Sequence, residues 1–179
     1  MRYLRHTAIA MLGVATGVVH ARGGPLDLRL IQGDYKRNFQ SEFVGGEKFN
    51  ASDDLRIVQY TANAAYFSIS LIFANDHSCY IDGIAALKIG ELLYRKPIGD
   101  GRECRMRIGV ERGTVKFHDE DRRCQEFSCG ARGGYSGADF RLSLRRPLKN
   151  VAAFRRSVEF KSAVTAYDAL QPEMSSSRD

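Results

Sequence analysis

Arg107-Ile-Gly-Val110-Glu-Arg112-Gly113-Thr-Val115-Lys-Phe117-His118 is the stretch whose reading decides the fold. With Arg112-Gly113 as a two-residue loop, Val110 falls opposite Val115 and Ile108 opposite Phe117 on one face. Arg105, Arg107, Lys116 and His118 then point the other way. Turn and hydrophobic pattern agree in register without adjustment, as an antiparallel hairpin requires.

The same period of two extends upstream. Phe67, Ile69, Leu71 and Phe73 alternate with Tyr66, Ser68 and Ser70, the pattern of a half-buried strand. Cys79 to Leu87 and Glu91 to Lys96 read as two more strands turning at Ile89-Gly90, with Lys88 facing Glu91, Leu87 facing Leu92 and Ala85 facing Tyr94. The alternation Leu26-Leu28-Leu30 reads as a short edge strand, and Glu42 to Asp54, with Gly45-Gly46 and Asp53-Asp54, as a loop. Downstream, Arg141 to Leu144 is strand-like. Pro147 suits a first helical turn, and Leu148 to Leu170 carries Val151, Phe154, Val158, Phe160, Val164 and Tyr167 as one amphipathic helix. The fold expected is therefore α+β: an antiparallel β-sheet meander held by two disulfides, with a C-terminal amphipathic helix.

Arg2, Arg5 and His6 precede an uncharged stretch from Thr7 to Val19 that closes on Val19-His20-Ala21, the pattern of a cleaved export signal. The apolar run is shorter than the roughly 20 residues of a spanning helix. Residues 1–21 are read as signal and residues 22–54 as an N-terminal segment, partly loop. Residues 55–170 form the stapled domain, and residues 171–179, with Ser175-Ser176-Ser177, a disordered tail. Past the signal, 25 of the 27 basic residues face all 21 acidic ones, a mild +4 spread along the chain. A nucleic-acid partner is not expected from that pattern, nor an integral membrane segment after cleavage. The location expected is periplasmic or secreted.

Four cysteines, Cys79, Cys104, Cys124 and Cys129, behind such a signal read as two disulfides. Their 24, 19 and 4 intervening residues lack the short paired knuckles of structural zinc, so no metal is expected. Extending the hairpin brings Cys104 within reach of Cys124, which leaves Cys79 for Cys129. The rival pairing, Cys79 with Cys104 and Cys124 with Cys129, is not decided by the sequence.

Chemistry is sparse. His77 and His118 are the two histidines past the signal, each beside an aspartate, Asp76 and Asp119. Adjacent strand residues face opposite sides, so neither aspartate orients its neighbour. No Gly-x-Ser-x-Gly elbow occurs, and Gly130 to Gly137 lacks phosphate-loop spacing, so neither a catalytic residue nor a cofactor is assigned. A cysteine-held loop presenting Arg132, Tyr135 and Ser136 suits protein recognition. A small nuclease-like secreted hydrolase using His77 and His118, or a structural envelope protein, is the alternative.

The string Cys124-x4-Cys129-Gly-Ala-Arg-Gly-x-Tyr-x-Gly-x-x-Phe140, with Cys79-x-Ile-x-Gly-x-Ala and Cys104-x-Met-x-Ile before it, resembles a group of small exported bacterial proteins. These are similar in turn to the cysteine-containing domain of LprI-type lysozyme-inhibitor proteins. The match covers roughly Phe67 to Phe140. It implies an exported protein that occupies a lysozyme cleft, with Arg132, Tyr135 and Ser136, and more weakly His77, as the inserted residues. The oligomeric state stays open.

Overall fold

The computed structural model describes residues 26–130 and 132–176, so the expected signal lies outside the described residues. Eight strands follow one another in chain order: β1 (Gly33–Glu42), β2 (Lys48–Thr61), β3 (Ala64–Phe73), β4 (His77–Lys88), β5 (Glu91–Gly99), β6 (Arg102–Glu111), β7 (Thr114–His118) and β8 (Asp139–Arg141). Each pairs antiparallel with the next, and just past β8 the Arg146 backbone exchanges hydrogen bonds of 3.0 and 2.8 Å with Asp34 of β1. The meander thus curls into a nearly closed barrel, which leaves little free sheet edge.

The hairpin reading holds, with Val110 opposite Val115 and Ile108 opposite Phe117. Alternate residues fill the barrel: Tyr35, Leu55, Ile57, Phe67, Ile69, Met106, Ile108, Phe117 and Phe140 are all buried there. A second cluster lies outside the sheet, where Val58, Ala64, Tyr66 and Ile84 meet Phe160 and Ala163. That is why β3 is buried on both faces over its first four residues.

Several expectations are corrected. Leu26 to Leu30 does not form a strand: Leu28–Ile31 is one helical turn, α1, whose Arg29 N–H donates to Asp27 Oδ1 at 2.9 Å, and Leu28 and Ile31 enter the core three residues apart. The expected loop from Glu42 to Asp54 is a turn only around Gly45 and Gly46, and Lys48 onward is β2. Ala85 does not pair with Tyr94. The β4–β5 ladder stops at Ala86, and Tyr94 lays its ring on Gly83 and donates its hydroxyl to the Asp82 carbonyl at 3.1 Å.

Beyond β8, Leu142–Leu144 is a tight turn, and Pro147 lies in an extended strap ahead of the helices. The single helix expected over Leu148 to Leu170 is two, α3 (Val151–Phe154) and α4 (Val158–Ser176). They break where Ser157 Oγ accepts the Phe160 N–H at 3.2 Å and so caps α4. Helix α4 continues to Ser176, into the segment expected as a tail.

Candidate functional site

An up-and-down meander sends alternate connections to the same end. The β1–β2 turn, the Ala74–Asp76 turn between β3 and β4, the Gly99–Gly101 turn region and the long β7–β8 connection therefore share one end of the barrel. Cys129 pairs with Cys79 and Cys124 with Cys104, so the four sulfurs are disulfides rather than zinc ligands. The two bonds fix α2 (Arg123–Ser128) across the seam where β4 and β5 part, between β4 and β6. Asp119, itself buried, holds the first turn of α2: its carboxylate accepts the N–H groups of Gln125 at 2.8 Å and Cys124 at 3.3 Å. Burial pushes its carboxyl above the usual range, and those two bonds act the other way.

The Gly-rich loop that follows is mainly a plug. Tyr135 is fully buried, and its hydroxyl shares a 2.7 Å hydrogen bond with Ser128 Oγ. Burial pushes the phenol up to about 12. Ser136 Oγ accepts the Asp119 N–H at 3.0 Å and donates to the Asp119 carbonyl at 3.3 Å. A Cβ on Gly133 would stand 2.7 Å from the Phe73 ring and 2.9 Å from Cys79 Sγ, in a backbone of φ +84° that disfavours any side chain. Tyr135 is therefore not offered to a partner as the sequence suggested, whereas Ser136 is exposed with its hydroxyl bonded to the Asp119 backbone. Arg132 is exposed.

The histidines are not brought together. His118 leaves β7 on the outer face, where its Nε2 lies 3.1 Å from Glu111 Oε1, while His77 at the start of β4 has the inward parity of Cys79. His118 borders a groove of about 460 Å³ with Arg95, Arg105 and Arg107. Each of these guanidiniums is already paired, Arg95 and Arg105 with Glu103 and Arg107 with Glu91 and Glu120. The groove is a neutralised network rather than an anion trap.

Three segments do meet at the loop end. Val44 is 88% exposed at the tip of the β1–β2 turn, beside Phe43, whose ring stacks on Phe49 at 4.6 Å. The Val44 N–H donates to Asn75 Oδ1 at 2.6 Å and so fixes that tip to the β3–β4 turn. There Asn75 and Asp76 both hold left-handed backbone, φ 60° and 54°, a costly arrangement of the kind concentrated at working sites. Gly133 packs on Phe73 and Cys79, which brings the loop bearing Arg132 against the same turn and His77. The site is a rigid rim with an apolar tip, an imidazole and a guanidinium. The sequence reading passed over Val44; its signal was Phe43-Val44 immediately ahead of a glycine pair, two apolar residues at a turn.

Fold and site together define a disulfide-stapled antiparallel meander with a loop-bearing end and a helix-covered flank. Comparison of the chain with protein-family models, curated proteins and solved structures finds no match.

Proposed function

We propose that the protein is an exported binding module that captures another protein through this loop end, with lysozyme as the first partner to test. The observation that carries the reading is the protruding Val44, whose backbone is held by Asn75 on the same turn-bearing end as Arg132 and His77. An apolar anchor on a preorganised rim loses little entropy on docking. Two disulfides fit an oxidising compartment and so support export, and the Cys-Gly-Ala-Arg-Gly string supplies the lysozyme candidate. Among the described residues no helix is long and apolar enough to cross a membrane.

The test is muramidase activity of lysozymes of more than one type, with the oxidised protein added. Stoichiometric inhibition is expected. Val44→Asp and Arg132→Ala should each raise the inhibition constant about tenfold or more without lowering the melting temperature. If no lysozyme is inhibited and a photo-crosslinker at position 44 captures no envelope protein, the protein-binding reading falls.

A further inference from the structure

We infer that the outer face of β1–β4, on the half that α3 and α4 leave uncovered, is a second binding site whose ligand is an acidic saccharide chain. The strand registers lay this face out in rows. Lys36 stands opposite Asp54, Asp54 opposite Ser70 and Ser70 opposite Tyr80. Beside that row run Asp34, Arg56, Ser68 and Asp82, and toward the loop end Asn38 opposite Ser52 and Gln40 opposite Asn50. Hydroxyl and amide groups thus occupy outward positions that strands usually give to β-branched residues. In their midst Tyr80 is 52% exposed.

The strap ahead of α3 crosses this face and makes a groove of about 460 Å³, with Arg146 and Lys149 on its border and Ser68, Ser70 and Tyr80 on its floor. The groove's two carboxylates are already matched, Asp34 by Arg56 at 2.6 Å and Asp54 by Lys36 at 3.4 Å. Arg146 and Lys149 are both exposed and remain without an ion pair among the described residues. A net surplus of two cations therefore borders a floor of small donors and acceptors and one aromatic ring.

A sugar acid matches each part of that chemistry. Its carboxylate takes the two free cations, its hydroxyls take the serine and amide groups, and the apolar face of its ring lies on Tyr80. A protein partner is less suited, because interface anchors need dry pockets and the floor is lined by serines. A nucleic acid would call for a longer track of uncommitted cations. This site is independent of the loop end.

Calorimetric titration of the full oxidised protein at low salt tests the assignment, with oligogalacturonate as the probe, a neutral dextran oligosaccharide and a single-stranded oligonucleotide of equal charge. Oligogalacturonate should bind one to one, and dextran about tenfold more weakly or worse. Tyr80→Ala should weaken the acidic sugar about tenfold, and Lys149→Gln should weaken it while flattening its salt dependence. Both side chains are exposed, so an unchanged melting temperature verifies folding. Val44→Asp should leave this binding intact, which separates it from the loop-end reading. No binding of oligogalacturonate, equal binding of dextran or the oligonucleotide, or indifference to Tyr80→Ala would each overturn the inference.

Discussion

Tyr135 shows how one residue type supports two opposite readings. Beside Ser136 and glycines it looks like a recognition loop, yet its ring fills the end of the barrel and its hydroxyl is satisfied by Ser128. Removing it should therefore cost stability rather than binding. We expect Tyr135→Ala to lower unfolding stability by roughly 3–5 kcal/mol, as for a buried aromatic, and Tyr135→Phe by about 1 kcal/mol for the lost hydrogen bond. Chemical denaturation of both variants checks this, and a drop below about 1 kcal/mol for the alanine variant would place the ring at the surface. Arg132 and Val44 carry no such role, which is why they serve as binding probes. None of this was legible in the sequence, because burial of a loop tyrosine depends on which distant strands the loop lies against.

At the scale of elements, the seam between β4 and β5 explains the disulfides. The two strands are hydrogen-bonded only from Ala86 to Lys88 against Leu93 to Glu91. Past that point the wall is completed by the Tyr94 side chain from within and by α2, anchored to β4 through Cys79–Cys129 and to β6 through Cys104–Cys124. With sequence separations of 50 and 20, the chain-entropy model gives about 4 and about 3 kcal/mol for the two bonds. Replacing Cys104 and Cys124 together by alanine should lower stability by about 3 kcal/mol, and amide exchange should rise first in α2 and the Gly-rich loop. Unchanged protection of α2 would show that packing alone holds it. The hairpin geometry favoured this pairing without deciding it against the rival one, since extending β6 and β7 brings Cys104 toward Cys124.

Over the whole molecule, charge is unevenly committed. Strands β5 to β7 carry a closed network of ion pairs, whereas the segment from Arg145 to Lys161 holds six cations and, among the described residues, no ion pair. The network should be visible in the pH dependence of stability. Burial alone would push the Glu103 carboxyl up, but Arg95 and Arg105 hold it below the usual carboxylate range. A lowered folded pKa means stability that is present above the unfolded value, near 4.3, and lost as pH falls through the folded one. The melting temperature of Glu103→Gln should therefore lie below that of the native chain at neutral pH, with the gap closing as the solution is acidified through the carboxylate range. A gap constant with pH would show that the glutamate acts by packing, not charge.

By itself the sequence determined the antiparallel meander from β3 to β7, both hairpin registers near their turns, two disulfides and a terminal helical region. The strands, hairpins and helical region rest on interactions between residues close in the chain, where periodicity and turn chemistry are sufficient, and the disulfides on an even count of cysteines behind an export signal. Only the tertiary structure decided that β1 and β2 extend the sheet and that the Gly-rich loop is a plug. It alone brought Val44, His77 and Arg132 to one rim, and left the rows of Ser68, Ser70 and Tyr80 open beneath a basic strap. Those outcomes depend on barrel closure, which joins residues more than a hundred positions apart, such as Asp34 and Arg146. A local pattern carries no record of which far segment will cover it, so burial and exposure at the functional surfaces emerge only when the chain closes on itself.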